Sequence, residues 1–276
     1  MLRRICLVSF VAMLATANVV YAVRPPDELL PETTVGFVSV ANPDALIQGW
    51  QKTQFGQLLA SPQMRPFVVD LQRQIRRQIG KVGLPIEFGL TELQGVFAGE
   101  ICVASVQPDG DVNQHAMVLL ADVTGNWEQT QALLQMMERR FHDRGAVRSV
   151  TTEQGIEVTW LTSPASAAKP ESTEVLYFVH EDQLVAADHA QVLLAIIGRL
   201  QGSGAKSLKQ AVAYQAVQTA CDSSARQQTH FSWFVDPFRY VSVIRASQGH
   251  PAIQGVDLLK VFGRQGFDAI KGIGGR

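Results

Sequence analysis

The chain has 276 residues, 46% hydrophobic and 18% charged, with a formal net charge of −1 and a mean hydropathy of +0.06. Such a composition supports a sizeable apolar core and lies far from the polar, highly charged corner of disordered chains. A near-neutral balance leaves no electrostatic footprint for a polyanion, so nucleic acid is disfavoured as a partner.

Residues 1–22 differ from the rest. Met1-Leu2-Arg3-Arg4 is a basic head and Ile5 to Val20 is an apolar run. Val20-Tyr21-Ala22 then sets small residues three before and directly before a break at Val23-Arg24-Pro25-Pro26. This is the anatomy of a secretory signal peptide. The run is marginal for crossing a hydrocarbon core, which needs about 20 apolar residues, and no second run follows. The expectation is therefore an exported chain of the periplasm or cell envelope with no transmembrane segment after cleavage. An uncleaved N-terminal anchor is the alternative. Removing residues 1–22 takes away Arg3 and Arg4 and no acid, which moves the formal charge from −1 to −3. It also removes Cys6, leaving Cys102 and Cys221. Export makes a disulfide between them permissible, but two thiols on separate elements need not meet, and two buried reduced cysteines are expected.

Residues 23–276 read as one α+β domain, a mostly antiparallel sheet of hairpins covered by amphipathic helices, its C-terminal end truncated or frayed. Val35 to Val40 is a β-branched and aromatic strand. Asn42-Pro43-Asp44 stops it and opens a helix capped by Asn42, which is expected to bury Leu46, Ile47 and Trp50. A further helical turn carries Phe55, Leu58 and Leu59. Phe67, Leu71, Ile75 and Ile79 recur every four residues in a helix with one apolar stripe. Its other face carries Arg65, Arg73, Arg76, Arg77 and Lys81.

Gly95 to Val123 holds two apolar runs around Pro108-Asp109-Gly110. Both odd and even positions are apolar, which predicts central strands covered on both faces. Asp122 to Asn126 then caps a helix with Leu133, Leu134, Met137 and Phe141 in its stripe. Val147 to Val150 and Ile156 to Leu161 form a hairpin around Glu153-Gln154-Gly155. A proline-bounded loop at 163–172 follows. Val175 to Val179 and Leu184 to Ala187 form another hairpin, turning at His180 to Gln183. Asp188 is expected to cap a helix burying Val192, Leu193, Ile196 and Ile197. Gly202-Ser203-Gly204 breaks it, and a short helix carries Leu208, Val212 and Val217. Phe231 to Val235 repeats the strand, cap and proline order of Phe37 to Pro43, and a helix runs from Phe238 to about Ile244. The tail from Gly255 shows no closing element.

No catalytic motif stands out: G-x-S-x-G, H-E-x-x-H and EF-hand spacings are absent. Gly202 to Ser207 has the outline of a phosphate loop but lacks glycine before Lys206 and a preceding strand. His180, Glu181, Asp182, Asp188 and His189 are rich in ligand types. A hairpin turn, however, would put His180 and His189 about 16 Å apart, whereas zinc-bound imidazoles share one ion at about 2 Å. His180 and Asp182 are the pair to inspect for metal. Cys102 and His115 are the pair to inspect for nucleophilic catalysis, in a register that sets His115 opposite Ala104 and diagonal to Cys102. No orienting third group accompanies them.

Leu30-Pro31-Glu32-Thr33-Thr34 before Val35 to Val40, then Phe55-Gly56-Gln57-Leu58-Leu59 and Pro62 to Phe67, together form a recognisable run. With Leu184 to Ala187, Leu208 to Val217 and Phe231 to Pro237, it resembles exported bacterial proteins built on a domain of unknown function. The resemblance covers less than half of residues 23–276. It implies a signal segment, a fold of this class and often a longer C-terminal portion. That family has no agreed activity, so the resemblance assigns no catalytic residue.

The reading that follows is a non-enzymatic envelope domain acting through surface contacts, with no cofactor. Its partner is another envelope protein, anionic lipid or a wall polymer. The binding face is Arg73, Arg76, Arg77 and Lys81. The alternatives are a lipid or small-ligand carrier with a cavity between sheet and helices, and a hydrolase using Cys102 and His115 or the acids of 180–189.

Overall fold

The computed structural model describes residues 23–81, 95–111, 114–165, 172–222, 230–241, 266 and 269–276, with 72 and 75–81 described by backbone alone. The signal-peptide reading of 1–22 lies outside these residues, as does the end of the helix expected to reach Ile244.

The fold is α+β. Nine strands form one sheet: β1 Thr34–Val40, β2 Ile101–Val106, β3 Ala116–Asp122, β4 Val147–Glu153, β5 Ile156–Ser163, β6 Thr173–His180, β7 Gln183–Ala187, β8 Phe231–Val235 and β9 Ile273–Gly275. Their order is β4-β5-β6-β7-β3-β2-β1-β8-β9, and every pairing is antiparallel. The helices are α1 Pro26–Leu29, α2 Pro43–Lys52, α3 Gln54–Ala60, α4 Arg65–Lys81, α5 Trp127–Asp143, α6 Ala190–Leu200 and α7 Val212–Asp222.

β2 and β3 sit in the middle of the sheet, which is why apolar residues fill both their faces. Side chains alternate across each strand. Cys102, Val118, Leu176, Phe178 and Val185 enter one core with Val192, Leu193, Ile196 and Ile197 of α6, Leu29 and Leu30 at α1, and Tyr214 of α7. Ala121, Leu161, Val175, Tyr177 and Leu184 enter the second core, on the opposite face, with Leu133, Met137 and Phe141 of α5.

The hairpin turns follow local chemistry. Gln154 and Gly155 adopt positive φ (50° and 84°), as do Glu181 and Asp182 (48° and 61°), matching the mirror-image turns that suit strand twist. Four expectations change. The β2–β3 connector is longer than a tight turn because Pro108–Gly110 closes a 3-10 turn on its outgoing side. Val106 therefore pairs with Ala116, and Cys102 with Leu120. Asp188 does not cap α6: His189 holds that position, and the Asp188 carboxylate accepts the Met117 N–H at 2.7 Å instead. Asn126 is the N-cap of α5 but makes no side-chain cap bond. The tail does carry a closing element, since β9 pairs Trp233 with Gly275 and Val235 with Ile273.

Candidate interaction surface

α2, α3 and α4 form a helical arm that leaves the sheet at the end of β1. Asn42 is extended (φ −150°), its side chain accepts the Ala45 N–H at 2.8 Å, and Pro43 opens α2. This cap was legible in the sequence. The Thr53 hydroxyl donates to the Trp50 carbonyl at 2.7 Å and accepts the Gly56 N–H at 2.9 Å, joining the end of α2 to the start of α3. A Cβ on Gly56 would lie 2.0 Å from the Trp50 carbonyl oxygen, so the bend requires glycine there. The Trp50 and Phe55 rings meet edge to face at 5.5 Å. On α4, Asp70 accepts from Gln74 at 2.8 Å and lies 3.7 Å from Arg73.

The arm is built but not buried. α2 has no buried residue, and α3 buries only Gly56. Leu46, Ile47, Trp50, Phe55, Leu58, Phe67, Val69 and Leu71 are each 37–56% exposed. The expected burial of Leu46, Ile47 and Trp50 is thus corrected. Helical periodicity gives α2 an apolar side, but the sheet faces it would need are already packed by α1, α6 and α7 on one side and by α5 on the other. Exposed apolar surface also reaches the sheet, at Val38 of β1 (47%) and Phe231 of β8 (40%); Phe231 is the register partner of Val40, where the arm departs.

Cations accompany this surface. Arg65 and Arg73 are exposed. Arg76, Arg77 and Lys81 lie in the last turns of the same helix, and their side chains fall outside the described residues. α4 carries these five cations against one acid, Asp70. The register also fixes where the chain enters the fold. Val40, Ile101, Ala121 and Leu184 are neighbours across β1, β2, β3 and β7. Gln183, next to Leu184, donates to the Arg24 carbonyl at 3.2 Å. Residues 23–24 and the arm therefore leave the sheet at the same end.

The other candidate groups are dispersed. Cys102 is fully buried, and burial pushes its thiol well above the usual range, the opposite of what a nucleophilic thiolate needs. His115, lowered by burial, lies beyond Ala116, five residues from the Cys102 partner Leu120 and so roughly 17 Å along the strand. The expected diagonal pair is not formed. Cys102 and Cys221 are free thiols, and Cys221 is half-buried. His180 lies 3.8 Å from Glu181 in the β6–β7 turn, where the Asp182 carbonyl accepts the Val123 N–H. Among the described residues no group of three or more His, Cys, Asp or Glu could hold a metal ion. No described helix is long and apolar enough to cross a membrane.

One polar group beside the first core has no local sequence signature. Glu100 accepts the Ser39 hydroxyl, and burial raises its carboxyl, with Asp27 and Asp122 adding to the rise. Asp27 is likewise raised by burial and accepts the Tyr214 hydroxyl at 3.3 Å. Contacts spanning 61 and 187 positions leave no local pattern to read. Cys102 is a buried thiol held protonated and His115 lies far from it, and among the described residues no metal cluster forms, so the arm is the surface best suited to a function. The chain matches no protein-family model, no curated protein and no solved structure.

Proposed function

We propose that this is an exported, non-enzymatic envelope domain whose helical arm lies on an anionic lipid surface. The observation carrying this reading is the eight apolar side chains that α2, α3 and α4 leave exposed, on a segment whose last helix is strongly cationic. Interfacial helices combine these features, placing apolar groups at the acyl boundary and Lys and Arg among anionic headgroups. Trp50, with an apolar ring and a polar N–H, suits that boundary. If the apolar run 5–20 is retained as an anchor, the chain carries a second membrane signal besides the arm. Two attachment signals then act together, as stable anchoring requires.

The test is co-sedimentation of the purified chain with vesicles of phosphatidylglycerol and of phosphatidylcholine. Binding to the anionic vesicles alone, weakened by salt, is expected. Replacing Arg73, Arg76, Arg77 and Lys81 by glutamine should weaken it by roughly 4 kcal/mol, on the order of a thousandfold, at about 1 kcal/mol per cation near the surface. Equal binding to both vesicle types, or full binding by the glutamine variant, overturns the reading. Binding to isolated wall polymer or to one envelope protein without vesicle binding assigns the arm to that partner instead.

A further inference from the structure

Among the described residues the sheet ends at β4 and β9, and these two edges are unlike. β9 is three residues long and contains Gly274 and Gly275. β4 has seven residues, continuous register with β5 from Val147 to Glu153, and no bulge. Six of its seven residues are exposed, Val147 by 69% and Val150 by 40%. An edge of this kind displays a row of unpaired backbone donors and acceptors, which proteins ordinarily blunt with proline, lysine, bulges or short length. β4 has none of these. Its one cation, Arg148, donates to Glu138 of α5 at 2.9 Å, and its one acid, Glu153, stands at the strand's end.

We propose that β4 pairs antiparallel with β4 of a second copy of this chain, about a two-fold axis through Val150. That register uses all seven residues. It sets Val150 against Val150, Arg148 against Thr152, Ser149 against Thr151 and Val147 against Glu153, so no like charges face each other. Arg148, Val150 and Thr152 stay on one face and Val147, Ser149 and Thr151 on the other, as the pleat demands. A β4-to-β9 contact would join a long edge to a three-residue one and propagate without closing, whereas the two-fold contact closes at two copies. The partner is thus a matching strand from an identical chain, and the proposal is independent of the arm's lipid role.

Sedimentation of the purified chain over a range of concentrations should show the mass doubling as concentration rises. In a Cys221→Ser background, Val150→Cys should cross-link under a mild oxidant. Opposed residues in an antiparallel pair lie about 4.5–5.5 Å apart at Cα, within disulfide reach. Thr152→Cys should link more slowly, because its counterpart lies roughly 14 Å away along the strand. Val150→Lys, which opposes two cations at the axis, should remain monomeric where the parent is dimeric, with an unchanged melting temperature. The proposal is overturned by a single monomeric mass up to the solubility limit. It is equally overturned by Thr152→Cys linking as fast as Val150→Cys, or by a dimer that Val150→Lys leaves intact.

Discussion

α6 and α2 are close in length, eleven and ten residues, and both carry apolar residues at helical spacing. α6 buries Val192, Leu193, Ile196 and Ile197 completely or nearly so, whereas α2 buries nothing. α6 follows β7 after two residues and lands directly on the first core, beside the centre of the sheet. α2 leaves the end of β1 and turns into α3 at Thr53 and Gly56, and its packing is with the arm itself. The comparison shows that an apolar stripe states what a helix can bury. The surface available at the place where the chain delivers it decides whether that burial happens.

This difference is open to direct test. Ile196→Ala should cost about 2–5 kcal/mol, since a fully buried site loses its transfer energy and leaves a cavity. Ile47→Ala should change stability by no more than about 0.5 kcal/mol, as an exposed site does. Urea unfolding of both variants checks the contrast, and equal losses would show that α2 is packed after all. A second test reverses the ranking. Leu46→Ser with Trp50→Ser should leave the melting temperature in place yet weaken binding to anionic vesicles by about 2–3 kcal/mol, the worth of one or two apolar side chains withdrawn from water.

The smallest effect concerns the acids beside the first core. Glu100 and Asp27 have carboxyls raised by burial, so the folded state holds protons that the unfolded state releases. The stability they contribute is complete below the ordinary carboxylate range and is lost as pH rises through the raised values. Glu100→Gln should therefore show a shallower fall in melting temperature from acidic to neutral pH than the parent. Asp27 retains part of the slope, and an unchanged slope would place the effect elsewhere.

The legible parts of this fold were those set by neighbours in sequence. Asn42-Pro43 states its own helix start, Gln154-Gly155 its own turn, and the unbroken apolar character of β2 and β3 their central place. Features that depend on distant residues escaped. The Cys102–His115 spacing failed because the connector closes its turn on one side and lengthens the return. Asp188 reads as a cap but serves β3. The glycine-rich Ile273–Gly275 has little strand propensity and becomes a strand only because β8 offers it an edge.

By itself the sequence determined an α+β chain of hairpins and amphipathic helices. These properties rest on composition, periodicity and turn chemistry, which act over a few residues. Only the tertiary structure decided which apolar helices are covered, which side of the sheet ends in an open strand, and which acids lie beside the core. Those outcomes depend on the order of the strands and on competition for a limited area of sheet, which no local pattern encodes.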